Sequence, residues 1–474
     1  MTILTSQNPG RTLGAETARS AHGTTPVRTT VSVIGVGYLG AVHAASMAEL
    51  GHEVIGLDVD VDRVGALNDG RAPFHEPGFE EILRRGRGRG RDRDLLRFTT
   101  DYAELAQVDV HFLGLGTPQR ADGNGADLTY LQAAVDALCE VLPARDGAPT
   151  LVVGKSTVPA GTARMLADQL EQIDGVRLVW HPEFLREGFA VKDTLAPDRL
   201  VYGVRDPEDV EETEQVVGML DAVYAQILER GTTRLVMGYE AAELVKVSAN
   251  AFLATKISFI NAISEMCEAT GADVTDVARA IGMDDRIGAK FLRAGVGFGG
   301  GCLPKDIRAF MASAEDLGIG ESLAFLREVD AINERRRARV VDLAAEMLGG
   351  LEGRRITVLG AAFKPDSDDV RDSPALDVAC RLRTAGAAVT VTDPEALGGV
   401  EKRVPGMPTE ADLDEALRGA ELVLLLTEWG QYKELDPARV RELVADARII
   451  DGRNVLEPRQ WREAGWEVRS LGRP

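Results

Sequence analysis

Residues 31–40 read Val31-Ser32-Val33-Ile34-Gly35-Val36-Gly37-Tyr38-Leu39-Gly40, and their reading decides the fold. Val31 to Ile34 is a short apolar β run that enters a Gly-x-Gly-x-x-Gly turn, and an apolar helix follows from Ala41 to Leu50. A second β run, Glu53 to Leu57, ends in Asp58, eighteen residues after Gly40. Glycines permit the tight turn and close approach of a diphosphate, whose charge the helix N-terminus binds. An acid at the end of the second strand accepts ribose hydroxyls and repels a 2′-phosphate. The stretch therefore predicts a dinucleotide site that prefers NAD to NADP, formed by Gly35, Val36, Gly37, Tyr38, Leu39, Gly40 and Asp58.

Outward from that turn the pattern repeats. Strand-like Val108 to Gly114, helix Asp127 to Leu142, strand Thr150 to Gly154, helix Ala160 to Ile173 and strands Val176 to Trp180 and Arg199 to Val204 alternate. Such alternation indicates a parallel, doubly wound sheet. Ligands lie beyond the carboxyl ends of its strands. Gly116-Thr117-Pro118, Lys155-Ser156-Thr157-Val158-Pro159 and His181-Pro182-Glu183-Phe184-Leu185-Arg186-Glu187-Gly188 should thus converge on the cofactor. Pro182 can start a helix whose one-turn spacing places Glu183 and Glu187 on one face. The arginine-rich run Arg84 to Asp94 reads as a solvated loop.

From Pro207 to Pro304 no proline intervenes, and the section reads as mostly helical. Tyr239 to Thr270 shows apolar residues at helical spacing, roughly 45 Å of helix, which would bridge domains or pack against a second subunit. Lys246 and Asn250 lie one turn apart on it. Then comes Gly297-Phe298-Gly299-Gly300-Gly301-Cys302-Leu303-Pro304-Lys305-Asp306. So many glycines let something approach the backbone closely, and Pro304 suits a helix's first turn. Cys302 sits at that helix entrance, where dipole and free amides favour a thiolate. Asp306 lies one turn on. A cysteine beside a carboxylate is a nucleophile with a proton-handling partner.

After a helix from Ser322 to Leu348 a second α/β pattern starts: strand Arg355 to Leu359, turn Gly360 to Pro365, helix Pro374 to Ala385, and strand Ala388 to Thr392 closed by Asp393. Strands Leu422 to Leu426 and Arg448 to Ile450 complete it, the latter leading into Asp451-Gly452-Arg453-Asn454. This turn lacks a full Gly-x-Gly-x-x-Gly, so it should hold a different nucleotide. The expected fold is α/β, with two doubly wound Rossmann-like domains joined by a long central helix. The expected division is a disordered leader over 1–28, an NAD-binding domain over 29–230, a central helical part over 231–330 with the connecting helix and the cysteine loop, and a nucleotide-sugar domain over 331–474.

With 54 Lys and Arg against 75 Asp and Glu, the 474-residue chain carries a net charge of −21. That disfavours nucleic acid and anionic membranes as partners. No run approaches the roughly 18 apolar residues of a membrane helix, and 1–28 contains no signal-peptide-like apolar stretch. Four widely spaced cysteines and six scattered histidines offer neither a disulfide framework nor metal-ligand spacing. No metal is expected, and a reducing cytoplasm is the expected setting.

Taken together, the Gly-x-Gly-Tyr-x-Gly turn, Ser-Thr-Val-Pro, Pro-Glu-Phe-Leu-x-Glu-Gly, Lys-x-x-x-Asn, Gly-Phe-Gly-Gly-x-Cys-x-x-Lys-Asp, Phe-Lys and Asp-Gly-Arg occur in an order that resembles the nucleotide-sugar dehydrogenases. The resemblance runs from about Thr30 to the C-terminus. It implies oxidation of a sugar C6 alcohol to a carboxylate in two hydride steps, with two NAD and with Cys302 as nucleophile. It also implies UDP-glucose as substrate, with GDP-mannose or another nucleotide sugar as the alternative. Lys246, Asn250, Asp306, Thr157 and Glu187 are implied to act with Cys302. Cofactor contacts are implied at the turn, Asp58, Arg63, Thr117, Thr157, Glu187 and Lys305. Substrate contacts are implied at Glu183, Phe184, Leu185, Lys246, Asn250, Phe291, Phe298, Gly299, Phe363, Lys364 and Arg453. Arg286 is implied to reach a neighbouring subunit's substrate, which makes a homodimer or larger assembly the expected state. His181, Leu303 and Arg293 depart from residues common in the family, at positions expected near the sugar and uridine ends of the pocket.

Overall fold

The structure, a computed structural model, describes residues 29–88 and 94–474. The leader expected over 1–28, and residues 89–93 of the arginine run, lie outside the described residues.

Eight strands form the first sheet: β1 (Thr30–Ile34), β2 (Glu53–Leu57), β3 (Leu96–Thr99), β4 (Val110–Leu113), β5 (Thr150–Gly154), β6 (Val176–Trp180), β7 (Arg199–Val204) and β8 (Thr233–Gly238). Their order is β3-β2-β1-β4-β5-β6-β7-β8. All pairs are parallel except β6 with β7, which meet antiparallel at Trp180 and Gly203. Val31 to Ile34, Val110 to Leu113 and Thr150 to Gly154 are buried throughout, as expected for strands covered by helices on both faces. The chain order reverses between β1 and β4, so a crevice opens at their carboxyl ends.

A second, fully parallel sheet contains β9 (Arg355–Leu359), β10 (Ala388–Thr392), β11 (Leu422–Leu425), β12 (Arg448–Asp451) and β13 (Glu467–Ser470), in the order β10-β9-β11-β12-β13. Its reversal falls between β9 and β11. The two lobes are joined through a 32-residue helix, Tyr239–Thr270, which Gly271 ends with φ +76°. At 1.5 Å per residue it is about 48 Å long. One side packs on the helices Leu303–Asp316 and Phe325–Leu348. Leu244, Phe252, Phe259 and Met266, spaced by seven or eight residues, leave an exposed apolar stripe on it.

The section after Pro207 is mostly helical, as expected, and also holds β8 at the edge of the first sheet. Two sequence expectations are corrected. Residues 181–187 form no helix, and the next one spans Ala190–Leu195. The arginine run is no solvated loop at its start: Arg84 and Arg85 belong to the helix Phe79–Gly86, where they pair with Glu80 and Glu81, and Arg87 donates to the carbonyls of Asn68 (3.2 Å) and Leu96 (2.8 Å).

Candidate active site

The turn after β1 has the geometry a diphosphate requires. Gly35 adopts φ +86°, and a Cβ on Gly40 would lie 1.8 Å from the Gly35 carbonyl oxygen, so only glycine lets the helix start this close to the strand. That helix, Tyr38–Glu49, has Gly37 as its N-cap and no side-chain cap. Its first amides are therefore left for an external acceptor. Asp58 accepts from the Val36 amide (2.9 Å), the Asp60 amide (3.1 Å) and the Arg63 guanidinium (2.9 Å). The acid is thus held rigidly at the end of β2, with Arg63 beside it.

Along the same carboxyl edge, the Thr117 hydroxyl donates to the Thr157 carbonyl at 2.7 Å, joining the β4 and β5 loops. A cavity of about 250 Å³ opens beside Thr117, Thr157, Lys305 and Asp306, with Leu244, Val247 and Phe310 on its apolar walls.

Cys302 stands at the mouth of the helix Leu303–Asp316 and is exposed, although protein surrounds it on most sides. Its carbonyl accepts the Asp306 amide at 2.9 Å. Asp306 is 2% exposed and accepts from two donors, the Asn250 amide Nδ2 at 2.7 Å and the cationic Lys305 Nζ at 2.5 Å. Lys246 Nζ lies 5.4 Å from the centre of the Phe184 ring, and the Arg199 guanidinium lies 4.1 Å from it. Crowding by protein, then the Asp306 carboxylate, push the Cys302 thiol up from its ordinary value, against the pull of Lys246 and Lys305. Helix position alone points to a thiolate, and these surroundings shift the balance back toward the thiol.

Glu187 comes from the β6 loop and meets the second lobe. Its carbonyl accepts Lys364 Nζ (2.6 Å), and its carboxylate contacts Ser367 (3.3 Å) and Arg371 (3.2 Å). Burial, then Asp369, raise its carboxyl to about 7, against Arg371 and Lys364. Arg453 reaches from the end of β12 to the carbonyls of Leu426 (2.6 Å), Gly297 (2.9 Å) and Phe363 (3.2 Å). It thereby ties the glycine-rich loop to the second lobe. The approach that those glycines allow is made by the protein itself: a Cβ on Gly299 would lie 2.2 Å from the Asp372 carbonyl oxygen.

With this arrangement of two sheets and one Gly-x-Gly-x-x-Gly turn, known proteins agree over most of the chain. Residues 29–277 match the NAD-binding domain of the UDP-glucose/GDP-mannose dehydrogenase family, 240–335 its central domain and 357–458 its UDP-binding domain. The chain belongs to the UDP-glucose/GDP-mannose dehydrogenase family. It is similar to a UDP-glucose 6-dehydrogenase of Rhizobium meliloti (38% identical over 453 residues, covering 94% of this chain and 99% of that protein). A UDP-glucose 6-dehydrogenase of Bacillus subtilis is 37% identical over 449 residues, covering 94% and 97%. The solved UDP-glucose dehydrogenase of Pyrobaculum islandicum superposes with a TM-score of 0.85 at 37% identity, covering 96% of this chain and all of that one. The dehydrogenase is accordingly an NAD-dependent oxidoreductase acting on a nucleotide sugar.

The structure places the remaining expected residues of this dehydrogenase variously. Glu183 does not share a helical face with Glu187. Burial alone would raise its carboxyl, but Lys155 at 3.0 Å holds it down at about 2, and it accepts the Phe184 and Leu185 amides (2.8 and 3.0 Å). It therefore shapes the loop that presents Phe184 and Leu185. His181 is a core residue: it is buried, bonds the Val201 carbonyl (2.8 Å) and sets its ring edge against Tyr202 and Tyr224. Phe298 is buried as well, its amide held by Asn333. Leu303 packs against the central-helix core, and Arg293 is exposed, 3.9 Å from Glu428. Arg286 and Phe291 are exposed, Arg286 pairing with Asp284 (2.7 Å) and Phe291 adopting φ +65°.

Sequence reasoning missed Arg371 and Glu76. Arg371 packs against Gly301 and holds Glu187. Glu76 is 6% exposed and accepts the Tyr38 hydroxyl and the amides of Gly188 (2.6 Å) and Ala190 (2.7 Å). The only cue to it was a carboxylate inside an aromatic, proline-bounded loop, Phe74-His75-Glu76-Pro77.

Proposed function

We propose that the dehydrogenase oxidises UDP-glucose at C6 to UDP-glucuronate, consuming two NAD, through a thioester on Cys302. The observation that carries the reading is the Asp306 carboxylate one turn beneath Cys302, buried and bonded to both Asn250 and Lys305. Bound NAD supplies the hydride acceptor. The Gly35–Gly40 turn, Asp58, Arg63, Thr117, Thr157, Glu187 and Lys305 would hold it.

In the first oxidation the C6–H bond would give its hydride to the bound acceptor, while the C6 hydroxyl passes its proton, through water, to the Asp306 carboxylate. Thr157 and Glu187 assist. An aldehyde carries no carbinol hydrogen, so the Cys302 sulfur adds to C6 and the thiol proton passes to the carbonyl oxygen. The resulting thiohemiacetal would give its C6–H hydride to the second NAD and its hydroxyl proton, through water, to Asp306, which has meanwhile released the first proton to solvent, and a thioester results. Water adds, the C–S bond breaks, the thiol is regenerated and the carboxylate leaves. Lys246 and Asn250 stabilise the oxyanion at C6, worth roughly 3–4 kcal/mol per well-placed donor. Glu183, through Phe184 and Leu185, shapes the sugar side, where Phe298 and Gly299 also lie. Phe363, Lys364 and Arg453 form the nucleotide side.

The reading extends to assembly. The exposed stripe of Leu244, Phe252, Phe259 and Met266 suits the matching helix of a second copy, with Arg286 reaching the neighbouring substrate. The test incubates purified protein with NAD and, separately, UDP-glucose and GDP-mannose. Oxidation of UDP-glucose alone supports the reading, and oxidation of GDP-mannose alone replaces it by the second member of the family. Light scattering on the same sample checks the dimer, and a monomeric mass would overturn it.

A further inference from the structure

The loops carrying Thr157 and Glu187 each run straight into a helix that has no cap of its own. Helix Thr162–Leu170 starts after Gly161, which has no side chain, and helix Ala190–Leu195 starts after Phe189, which makes no capping bond. Their first amides are nevertheless satisfied, in both cases by a buried carboxylate from elsewhere in the chain. Glu243, 2% exposed on the central helix, accepts from Gly161 N at 2.7 Å and Ala163 N at 2.6 Å. Glu76 accepts from Gly188 N and Ala190 N, and from the Tyr38 hydroxyl on the cofactor turn.

Among the described residues neither carboxylate makes an ion pair, so each is held in the interior by amide and hydroxyl donors. A serine or aspartate at the cap position would satisfy the amides locally, without burying a charge taken from another element. What the distant carboxylates add is a tie. Glu243 lies three residues before Lys246, so it joins the helix bearing Lys246 and Asn250 to the loop bearing Thr157. Glu76 joins the Gly35–Gly40 turn to the segment bearing Glu187. The Thr157 loop borders the 250 Å³ cavity, and besides Glu243 it is tied by the Thr117 hydroxyl, which donates to the Thr157 carbonyl at 2.7 Å.

We propose that Glu243 and Glu76 are positioning residues, which set Thr157 and Glu187 against the cofactor and the Lys246–Asn250 face. The proposal rests on the reading of Thr157 and Glu187 as groups at the reacting centre. The test is a pair of double-mutant cycles with kcat, NADH affinity by fluorescence and melting temperature as readouts. Glu243→Gln keeps the size but turns one acceptor into a donor facing an amide. It should lower kcat about tenfold or more with NADH affinity within about twofold of the parent, and it should add less than about twofold in a Thr157→Ala background. Glu76→Gln should lower kcat and also weaken NADH binding, because Tyr38 is on the cofactor turn. Its effect on kcat should likewise vanish in Glu187→Gln.

Glu243→Asp, which retains the charge and shortens the arm, should lose less than Glu243→Gln and serves if the amide variant does not fold. Equal losses in parent and Thr157→Ala backgrounds, or a lower melting temperature with unchanged kcat, would reduce Glu243 to a helix cap and overturn the proposal. An unchanged kcat in Thr157→Ala itself would instead overturn the reading of Thr157. The two failures are therefore distinguishable.

Discussion

The two lobes are built on one plan and use it differently. In each, a central strand enters a turn and the next strand ends in an aspartate, Asp58 after β2 and Asp393 after β10. Asp58 has two backbone donors and Arg63. Asp393 has five donors: the amides of Ala361 (2.7 Å), Ala362 (3.0 Å), Glu395 (3.0 Å) and Ala396 (2.9 Å), and Trp429 Nε1 (3.1 Å). The first lobe brings a helix N-terminus onto its turn. The second sends a long loop, residues 360–373, to the other lobe before its helix Pro374–Thr384 begins. One aspartate is left partly available to a ligand, and the other is consumed in building a turn. The second lobe offers cations, Lys364 and Arg453, where the first offers amides, which is why a shared strand–turn–strand plan gives a dinucleotide site once only.

The largest effect that would break or sharpen this contrast belongs to neither lobe but to the cleft between them. Cys302→Ala should lower formation of the carboxylate product by roughly a thousandfold or more, measured as acid formed per enzyme, with NADH affinity retained. Next, Gly40→Ala forces a methyl into the Gly35 carbonyl and should abolish measurable NADH binding while leaving the second lobe's nucleotide affinity intact, by fluorescence and calorimetry. Loss of both affinities would mean that the lobes are not separable.

A smaller effect separates the aspartates. Asp58→Asn should weaken NADH binding about tenfold by losing a charged acceptor and narrow the preference over NADPH. Asp393→Asn should leave NADH binding alone and lower stability by about 1–3 kcal/mol, read by denaturant melts. The smallest is a pH effect. Glu187 is raised from its ordinary 4.5 to about 7 by burial and Asp369, so its proton-accepting fraction grows as pH rises through about 7. The acid limb of kcat/KM should have a midpoint near there and disappear in Glu187→Gln. Between those two values the folded chain keeps a proton that the unfolded chain has lost, so this group makes stability fall as pH rises, a slope that Glu187→Gln removes.

How legible all this was in the sequence varies with how local its causes are. The helix Tyr239–Thr270 was readable to its ends, because apolar spacing runs unbroken and Gly238 and Gly271 flank it. The cofactor turn was readable because its demands lie within ten residues. β8 was not, since Thr233-Arg234-Leu235-Val236-Met237-Gly238 is a half-exposed edge strand without alternation. The helix expected from Pro182 does not form because Lys155, distant in sequence, draws Glu183 inward. The balance at the Cys302 thiol was hard to read for the same reason, since Asp306, Lys246 and Lys305 act on it together with burial. Glu76 carried only the faint mark of its proline-bounded loop and Glu243 none, as their partners lie 112 and 82 residues away.

The most direct test of the account counts products. Limiting UDP-glucose, excess NAD and the purified chain should yield two NADH per sugar and a C6 carboxylate. One NADH with free aldehyde, or no NADH at all, would contradict it.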